Sequence, residues 1–159
     1  MQISISKENI DGLLTWKAQI VQFMGDLAYE YPKFDEWLNR VFDEISQGKR
    51  VILLDVEGGV IRGLAILKDT VDEKKVCTLR VDERYRRQGI GSALIKESYR
   101  ILRTDTPLMT VSEKHIDIFK DFLRENGAKL FESVTGLYNN GEQEFFFNHP
   151  YDGLTFNNF

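Results

Sequence analysis

One basic segment containing two glycines has the residue types that bind an anion. Residues 86–92 read Arg-Arg-Gln-Gly-Ile-Gly-Ser and lie between a β-branched, apolar run at 76–81 and a run from Leu94 with apolar residues at helical spacing. Glycine has no Cβ, so a ligand can approach its backbone N–H closely. The first turn of a helix adds unpaired N–H donors and a positive dipole end. The pattern predicts a strand, a phosphate-binding loop and a helix, in that order.

Three other interpretations of this loop are weaker. A Walker phosphate loop requires a lysine at its end, but Gly91 is followed by Ser92 and Ala93. The dinucleotide fingerprint begins directly after a strand, whereas residues 82–88 intervene here and Leu94 occupies the third glycine position. A loop that merely starts a helix, with arginines for solubility, does not account for the flanking pattern. We therefore favour a ligand-binding loop.

The spacing Arg86-x-x-Gly89-x-Gly91 resembles the [Arg/Gln]-x-x-Gly-x-[Gly/Ala] signature of the GNAT superfamily of acyl-CoA-dependent N-acyltransferases. Residues 79–93 are similar to the central strand, loop and helix of that family, and the order of elements from about Trp16 to Phe147 also fits. The resemblance implies an α/β (α+β) fold in a single domain spanning residues 1–159. Its mixed, mostly antiparallel central sheet would be flanked by helices on both faces.

The resemblance also implies acetyl-CoA as the cosubstrate. In the family, the pantetheine arm runs beside the central strand like an added strand, and the following strand is splayed away. The backbone of Leu79, Arg80 and Val81 would then pair with the arm, and an N–H near Val81 would polarise the acetyl carbonyl. The diphosphate would be held by Arg86, Arg87, Gln88, Gly89, Ile90, Gly91 and Ser92. Alternatively, Arg86 or Arg87 could be a solvent-facing ion-pair partner of Glu83 or Asp82.

The acid and base are not evident from the resemblance. Many family members carry an asparagine near the start of the late helix and a tyrosine four residues before its final glycine. Counting back from Gly127, those places hold Ile116 and Leu123, whose side chains cannot transfer a proton. The departure leaves both the usual proton donor and part of the usual cofactor contact without an assigned residue.

Several side chains are candidate substitutes in catalysis. Tyr138 lies on a closing hairpin, and His115 is at the mouth of the late helix with Ser112 and Glu113. Glu83 follows the central strand and could activate water. Simpler explanations exist for some of them, because a histidine in a first helical turn is often inert and a loop carboxylate is often only solvated. The catalytic candidates are Tyr138, Glu83 and His115.

The elements that must position these residues follow from periodicity. Residues 13–27 and 34–45 have the apolar spacing of amphipathic helices, and the linker at 29–31 is read as a solvated connection, although it could face substrate. Two apolar runs at 50–56 and 60–67 flank a Gly-Gly turn and predict a hairpin, in which Gly63 marks a bulge or a close backbone approach. The charged run at 69–75 is read as a solvent loop.

The last third predicts a further strand, a helix and a hairpin. A strand at 108–111 precedes Ser112, which we expect to cap a helix that ends near Gly127. Residues 129–135 and 144–147 predict a hairpin, and its aromatic content makes a homodimer interface plausible. The tail after Pro150 has no periodicity, so we expect it to be frayed or laid over the surface.

Composition limits the partners. The chain has 159 residues, 42% of them hydrophobic, and a net charge of −4, so we expect one domain that binds neither nucleic acid nor an anionic membrane. No long apolar run or leader is evident, and the location expected is cytoplasmic. Cys77 is the only cysteine, so we expect no disulfide and no metal.

These observations lead to one hypothesis and one alternative. The chain is expected to be an N-acetyltransferase that moves the acetyl group of acetyl-CoA to a primary amine, small molecule or peptide, by direct attack in a ternary complex. No activated nucleophile that would form an acyl-enzyme is evident. The alternative is a catalytically silent module that binds or senses acyl-CoA. A modifier of nucleic acid or tRNA is disfavoured by the charge.

Overall fold

A computed structural model of the chain describes residues 1–152, and the end of the predicted tail, residues 153–159, lies outside the described part. The helices are α1 (Asp11–Met24), α2 (Phe34–Ser46), α3 (Ile90–Leu102) and α4 (Ile116–Glu125). The strands are β1 (Gln2–Ile5), β2 (Arg50–Glu57), β3 (Val60–Asp69), β4 (Lys74–Val81), β5 (Leu108–Ser112), β6 (Leu130–Thr135) and β7 (Gln143–Phe147).

Within residues 1–152 the strands form one sheet in the order β1-β2-β3-β4-β5-β7-β6. Neighbouring strands are antiparallel except for β4 and β5, which are parallel. The parallel pair is possible because α3 connects the two strands, as a parallel connection requires a crossover. The predicted mixed, mostly antiparallel sheet is therefore confirmed.

Helices cover both faces of the sheet, because side chains alternate along each strand. In β2, Ile52, Leu54 and Val56 pack with α1 and α2, whereas Leu53 packs with α3 and α4. The face of α2 that contacts the sheet is built from fully or nearly fully buried residues, namely Trp37, Leu38, Val41, Phe42 and Ile45. Burial of such side chains contributes about 1.5–3 kcal/mol each, which stabilises both layers on the sheet.

Most predicted elements are present with small changes in their bounds. Residues 13–24 are helical as predicted, but the chain continues as a 3₁₀ segment over Gly25–Tyr29. The hairpin of β2 and β3, the central strand, the helix after it and the closing hairpin of β6 and β7 are confirmed. None of the helices in residues 1–152 is long and apolar enough to cross a bilayer.

Three predictions about local structure are wrong or incomplete. The strand β1 was not predicted, and it is held by antiparallel pairing with β2 from Gln2↔Asp55 to Ile5↔Ile52. Ser112 is the last residue of β5 and does not cap α4, whose N-terminal boundary residue is His115. The charged run at 69–75 is not simply a solvent loop, because β4 already begins at Lys74 and Lys75 is only 3% exposed.

Candidate functional site

The loop before α3 has the geometry expected of an anion cradle. Gly89 has φ +80°, a left-handed conformation that a residue with a Cβ rarely adopts. No side chain caps the start of α3, and the N–H of Ala93 donates to the carbonyl of Gly89. The amides of the first helical turn before Ala93 are thus not capped by a side chain of this protein. They are available to an anion.

The second glycine also has a packing role, which the sequence did not indicate. A Cβ on Gly91 would lie 3.3 Å from the Phe122 ring of α4. This contact is tighter than ordinary van der Waals packing. Gly91 therefore allows α3 to pack against α4, whereas Gly89 provides the left-handed turn.

The arginines around the loop differ in their contacts. Arg86 Nε donates to the carbonyl of Val81 at 3.2 Å, and its guanidinium lies 3.8 Å from Glu83. Asp82 is bound by Arg84 at 2.8 Å, which, together with the Arg84 N–H, lowers the Asp82 pKa to about 2. Among the described residues, Arg87 makes no ion pair. The expected alternative of an ion pair with Glu83 thus holds for Arg86, and Arg87 keeps its cation free beside the loop.

The parallel pair β4–β5 separates soon after it begins. The two strands are paired only at Lys75↔Leu108 and Val76↔Met109. Beyond this point the strands part, so the edge of β4 that faces β5 carries N–H and C=O groups that β5 does not pair. An extended ligand can pair with such an edge as an added strand. The splayed strand implied by the resemblance is therefore present.

A β-bulge lies close to the point of separation. Leu67 of β3 pairs with Val76 and Ile66 pairs with Thr78, which leaves Cys77 as the extra residue of β4. Bulges bend a strand and redirect its side chains. A guanidinium nitrogen of Arg50, only 3% exposed, lies 3.1 Å from Cys77 Sγ and fixes the inner side of the bulge.

A cavity of about 990 Å³ occupies the gap between the separated strands. Arg87, Gly89 and Ser92 line one end of it. Tyr31, His115 and Tyr138 line another part, next to the ends of β5 and β7. Among residues 1–152, one continuous cavity thus joins the anion cradle to a group of polar and aromatic side chains.

The polar part of the cavity is formed by segments that are distant in sequence. The rings of Tyr31 and Tyr138 meet edge to face, with centroids 6.0 Å apart. His115 Nε2 lies 3.1 Å from a carboxylate oxygen of Glu30, and the Asn139 amide donates to the Glu30 carbonyl at 3.1 Å. Burial raises the pKa of Tyr31 to about 12 and also raises the pKa of Tyr138. The linker at 29–31 is therefore not simply a solvated connection, although Tyr29 itself is exposed.

Most residues predicted to bind the cofactor line this cavity. The cavity is lined by Leu79, Arg80, Val81, Arg86, Arg87, Gly89, Ile90, Gly91 and Ser92. Gln88 is not among its lining residues. Arg80 is bound to Asp26 at 2.6 Å, so its side chain is held by the 3₁₀ segment that follows α1. The roles of these residues in binding stay predictions.

The structure separates the three catalytic candidates. All three line the cavity, but Tyr138 and His115 belong to its polar part, whereas Glu83 is near the loop and its side chain is 85% exposed. Leu123, at the position of the usual tyrosine, lines the cavity and is 2% exposed. Tyr138 and His115 thus come together, and Glu83 lies apart from them.

Three polar residues in the cavity wall were missed at the level of sequence, namely Lys75, Thr110 and Glu144. Glu144 is 6% exposed, and burial raises its pKa to about 7, although hydrogen bonding with Thr110 and attraction to Lys75 oppose the shift. Burial also lowers the pKa of Lys75. The sequence contains little signal for them, because Lys75 follows Lys74 in a charged run and Glu144 stands near the start of its strand, and such positions are usually solvated.

Comparisons with known proteins agree with this geometry. Residues 16–115 match the family model described as Acetyltransferase (GNAT) family. No protein with a curated description matches the chain. Similar solved structures include the ribosomal-protein-S18-alanine N-acetyltransferase of Escherichia coli, with 18% identity and a TM-score of 0.65 over 92% of each chain.

Two further similar structures contain the cofactor or its acetylated form. The PaiA N-acetyltransferase of Thermoplasma acidophilum, in complex with coenzyme A, has 17% identity and a TM-score of 0.59 over 92% of this chain and 98% of that one. A putative streptothricin acetyltransferase of Bacillus anthracis, in complex with acetyl coenzyme A, has 16% identity and a TM-score of 0.57 over 69% and 68%. With its family model matched over more than half its length, the chain belongs to the GNAT family of acetyltransferases.

Proposed function

We propose that this protein transfers the acetyl group of acetyl-CoA to a primary amine by direct attack in a ternary complex. The observation that carries the proposal is the continuous cavity between β4 and β5, which has uncapped amides at one end and buried polar side chains elsewhere. Membership of an acetyltransferase family supports the same chemistry. The similar structures that contain coenzyme A or acetyl coenzyme A support the choice of acyl donor.

The residues present fit acetyl-CoA. The cavity volume of about 990 Å³ is at the upper end of the range for small-molecule sites. The amides after Gly89, together with Arg87, would hold the diphosphate, and the free edge of β4 at Leu79–Val81 would bind the pantetheine arm. When bound, acetyl-CoA supplies an acyl group activated as a thioester. The proposal therefore needs no covalent intermediate on the protein.

Tyr138 is proposed to stabilise the leaving group. Because burial raises its pKa, the hydroxyl keeps its proton across the neutral pH range. A buried, protonated hydroxyl can donate a hydrogen bond to a thiolate, and such a preorganised donor is stronger in a site that excludes water. Its raised pKa makes it a hydrogen-bond donor rather than a strong acid. The thiolate then takes its proton from solvent.

The alternative of a silent acyl-CoA-binding module is favoured by one observation. Leu123 occupies the place of the usual tyrosine, and its buried, apolar side chain cannot donate a proton. A module that only binds acyl-CoA has no need of a proton donor. The buried polar groups beside Tyr138 favour the enzyme, because a passive binding cavity does not require them.

Calorimetric titration with acetyl-CoA tests the binding half of the proposal. We expect Gly89→Trp to abolish measurable binding, because the indole would occupy the space of the diphosphate. The matched control is Gly58→Trp, since Gly58 also has positive φ and no atom near its missing Cβ but lies in the β2–β3 turn, away from the cavity. Equal affinities in the two variants would remove the loop as the diphosphate site.

A turnover assay separates the enzyme from the silent module. Wild-type protein is incubated with acetyl-CoA and a panel of primary amines comprising spermidine, kanamycin, an L-amino acid and an alanyl peptide, and free CoA thiol is followed. We expect free thiol to be released only when an amine is present, and we expect mass spectrometry to detect the acetylated amine. Tight binding of acetyl-CoA with no transfer to any member of the panel would favour the silent module.

A further inference from the structure

Glu144 lines the cavity that lies between the separated strands β4 and β5. Ser112 of β5 pairs with Glu144 of β7, and Thr110 pairs with Phe146. Cross-strand partners project to the same face, and so do residues two apart along a strand. Thr110, Ser112 and Glu144 thus share one face of the sheet, whereas Val111 and Phe145 pack on the other with α3 and α4.

Other carboxylates that line the cavity already have cations. Asp26 is 2.6 Å from Arg80, and Glu30 is 3.1 Å from His115. Near the loop and on α4, Glu83 and Asp117 lie 3.8 and 3.0 Å from Arg86 and Lys120. Glu144 differs from these four because it is buried, has a hydroxyl neighbour in Thr110, and is attracted by the charge of Lys75. A carboxylate of this kind retains the capacity to accept a proton.

Charged and titratable groups face Glu144 from each element packed around it. Lys75 approaches from β4, and its positive charge favours the carboxylate. Tyr31 follows the 3₁₀ segment, Tyr138 lies in the loop before β7, and the negative charge of Glu142 in that loop favours the protonated acid. Burial acts in the same direction as Glu142 and is the largest effect. The resulting pKa of about 7 suits a general base at neutral pH.

We propose that Glu144 accepts the proton that the acceptor amine loses when it attacks the thioester. The inference rests on the proposed function. In this step, a bond forms between the amine nitrogen and the acetyl carbon, and the carbon–sulfur bond breaks. The amine proton moves to an oxygen of Glu144, and the thiolate that leaves is protonated by solvent. Glu144 then returns its proton to solvent, so that the carboxylate is regenerated.

The test compares wild type with Glu144→Gln, which keeps the shape of the side chain but cannot accept the proton. The acceptor is the best amine of the panel above, and kcat/KM is measured from pH 5.5 to 9. The control is Glu142→Gln, which removes a carboxylate two residues away that does not line the cavity. Calorimetry with acetyl-CoA reports whether the donor site is intact in every variant.

We expect Glu144→Gln to lower kcat/KM by about 10²-fold or more while the affinity for acetyl-CoA stays within about twofold. The wild-type profile should rise through about pH 7, and this rise should be absent in Glu144→Gln. Any rise due to titration of the amine itself remains in both proteins, so the comparison isolates Glu144. Glu142→Gln should keep the rate at pH 8 within about twofold and should keep the rise, moved to somewhat lower pH because a negative charge near Glu144 is lost.

Several outcomes would overturn the inference. A Glu144→Gln variant with wild-type kcat/KM, or with a lowered rate and an unchanged pH profile, would make Glu144 structural only. If that variant does not fold, Glu144→Asp decides, because a carboxyl in a new position must move the rise in pH, and an unmoved rise overturns the role. If the wild-type protein transfers nothing to any amine, the proposed function fails and this inference fails with it.

Discussion

At the scale of single residues, the cavity offers a hydroxyl at a different place from the one that the motif comparison leads us to expect. The usual tyrosine position holds Leu123, yet a hydroxyl reaches the same cavity from Tyr138 in the loop before β7. Chemistry requires that a donor lie near the sulfur and does not require that it come from α4. A motif comparison alone leaves the donor without an assigned residue, because it considers only the position on α4.

The role proposed for Tyr138 predicts a clear effect of Tyr138→Phe. We expect kcat to fall by about 10²-fold, because one hydrogen-bond donor to the developing charge is lost, while acetyl-CoA affinity is unchanged. Tyr99→Phe is the matched control, since the Tyr99 hydroxyl donates to the Asn126 carbonyl at 3.1 Å and lies outside the cavity lining. A steady-state turnover assay measures kcat, and calorimetry measures the affinity for acetyl-CoA. Equal kcat values for the two variants would exclude Tyr138 from the reaction.

Residues were predictable from the sequence where backbone geometry restricts them. The loop around Gly89 was found because positive φ and close approach select glycine, and these requirements are local. Glu144 was not found, since nothing in the run 144–147 distinguishes a buried carboxylate from one at a solvated strand end. Lys75 was assigned to solvent for the same reason. Their burial depends on β5 and β4, which are distant in sequence, and only the assembled sheet reveals it.

At the scale of elements, contact between β3 and α3 positions the loop. A Cβ on Gly63 would lie 2.8 Å from Ile90 Cγ2 and 3.0 Å from Leu94 Cδ1. Both distances are too short for a real contact, so β3 approaches the first turn of α3 only because residue 63 is glycine. A β-bulge lies next to Gly63. The pairing shifts from Asp55↔Gly63 to Val56↔Ile61, which leaves Arg62 as the extra residue of β3. The expectation of a bulge or a close approach is met by both.

This packing predicts the effect of Gly63→Ala. The added methyl should displace Ile90 and Leu94 and destabilise the fold by about 1–3 kcal/mol, as overpacking does. Because Ile90 begins α3, acetyl-CoA affinity should fall as well. Gly25→Ala is the control, since Gly25 has φ −59° and open space at its Cβ. Urea unfolding and calorimetry measure both effects, and wild-type affinity in Gly63→Ala would show that the loop is not positioned by this contact.

Elements were predicted well where their periodicity is long and less well at their ends. The α2 pattern repeats over three turns, and its buried face is the one predicted. The strand β1 has four residues, too few for a period, and exists because β2 pairs with it. Ser112 has the chemistry of a helix cap, but pairing of β5 with β7 extends the strand through it, so tertiary contacts override the local preference.

At the scale of the whole molecule, the sheet lies between two apolar clusters, and one pair of neighbouring strands separates. One cluster packs with α1 and α2, and the other packs with α3 and α4. The opening lies between β4 and β5, where pairing ends after Val76, and the buried charges Lys75 and Glu144 lie next to it. Lost strand pairing and buried charge both reduce stability. The molecule thus carries its least favourable contacts at the cavity, as expected of a functional site.

The buried carboxyl of Glu144 predicts how stability depends on pH. Its pKa is about 7 in the folded protein and 4.5 ordinarily, so the folded state holds the proton between these values while the unfolded chain releases it. The folded state therefore binds more protons in this window, and the contribution of this group to stability falls as pH rises from about 4.5 to 7. The total loss is about 3 kcal/mol and is complete above pH 7. Glutamine does not titrate, so Glu144→Gln escapes this loss.

The Tm of Glu144→Gln minus that of wild type should therefore increase between pH 5 and pH 8 by several degrees, and scanning calorimetry at matched ionic strength measures it. Glu142→Gln, which lacks a carboxylate in the adjacent loop, should give a much smaller change over the same range, because its charge is only a minor influence on the pKa of Glu144. If the Tm difference between Glu144→Gln and wild type stays constant, the charge of Lys75 keeps the carboxylate of Glu144 ionised over the whole pH range in spite of its burial. Glu144→Gln is also expected to be the slower enzyme. One substitution should therefore raise stability at pH 8 and lower turnover, because the carboxyl group that reduces stability is the group that accepts the proton.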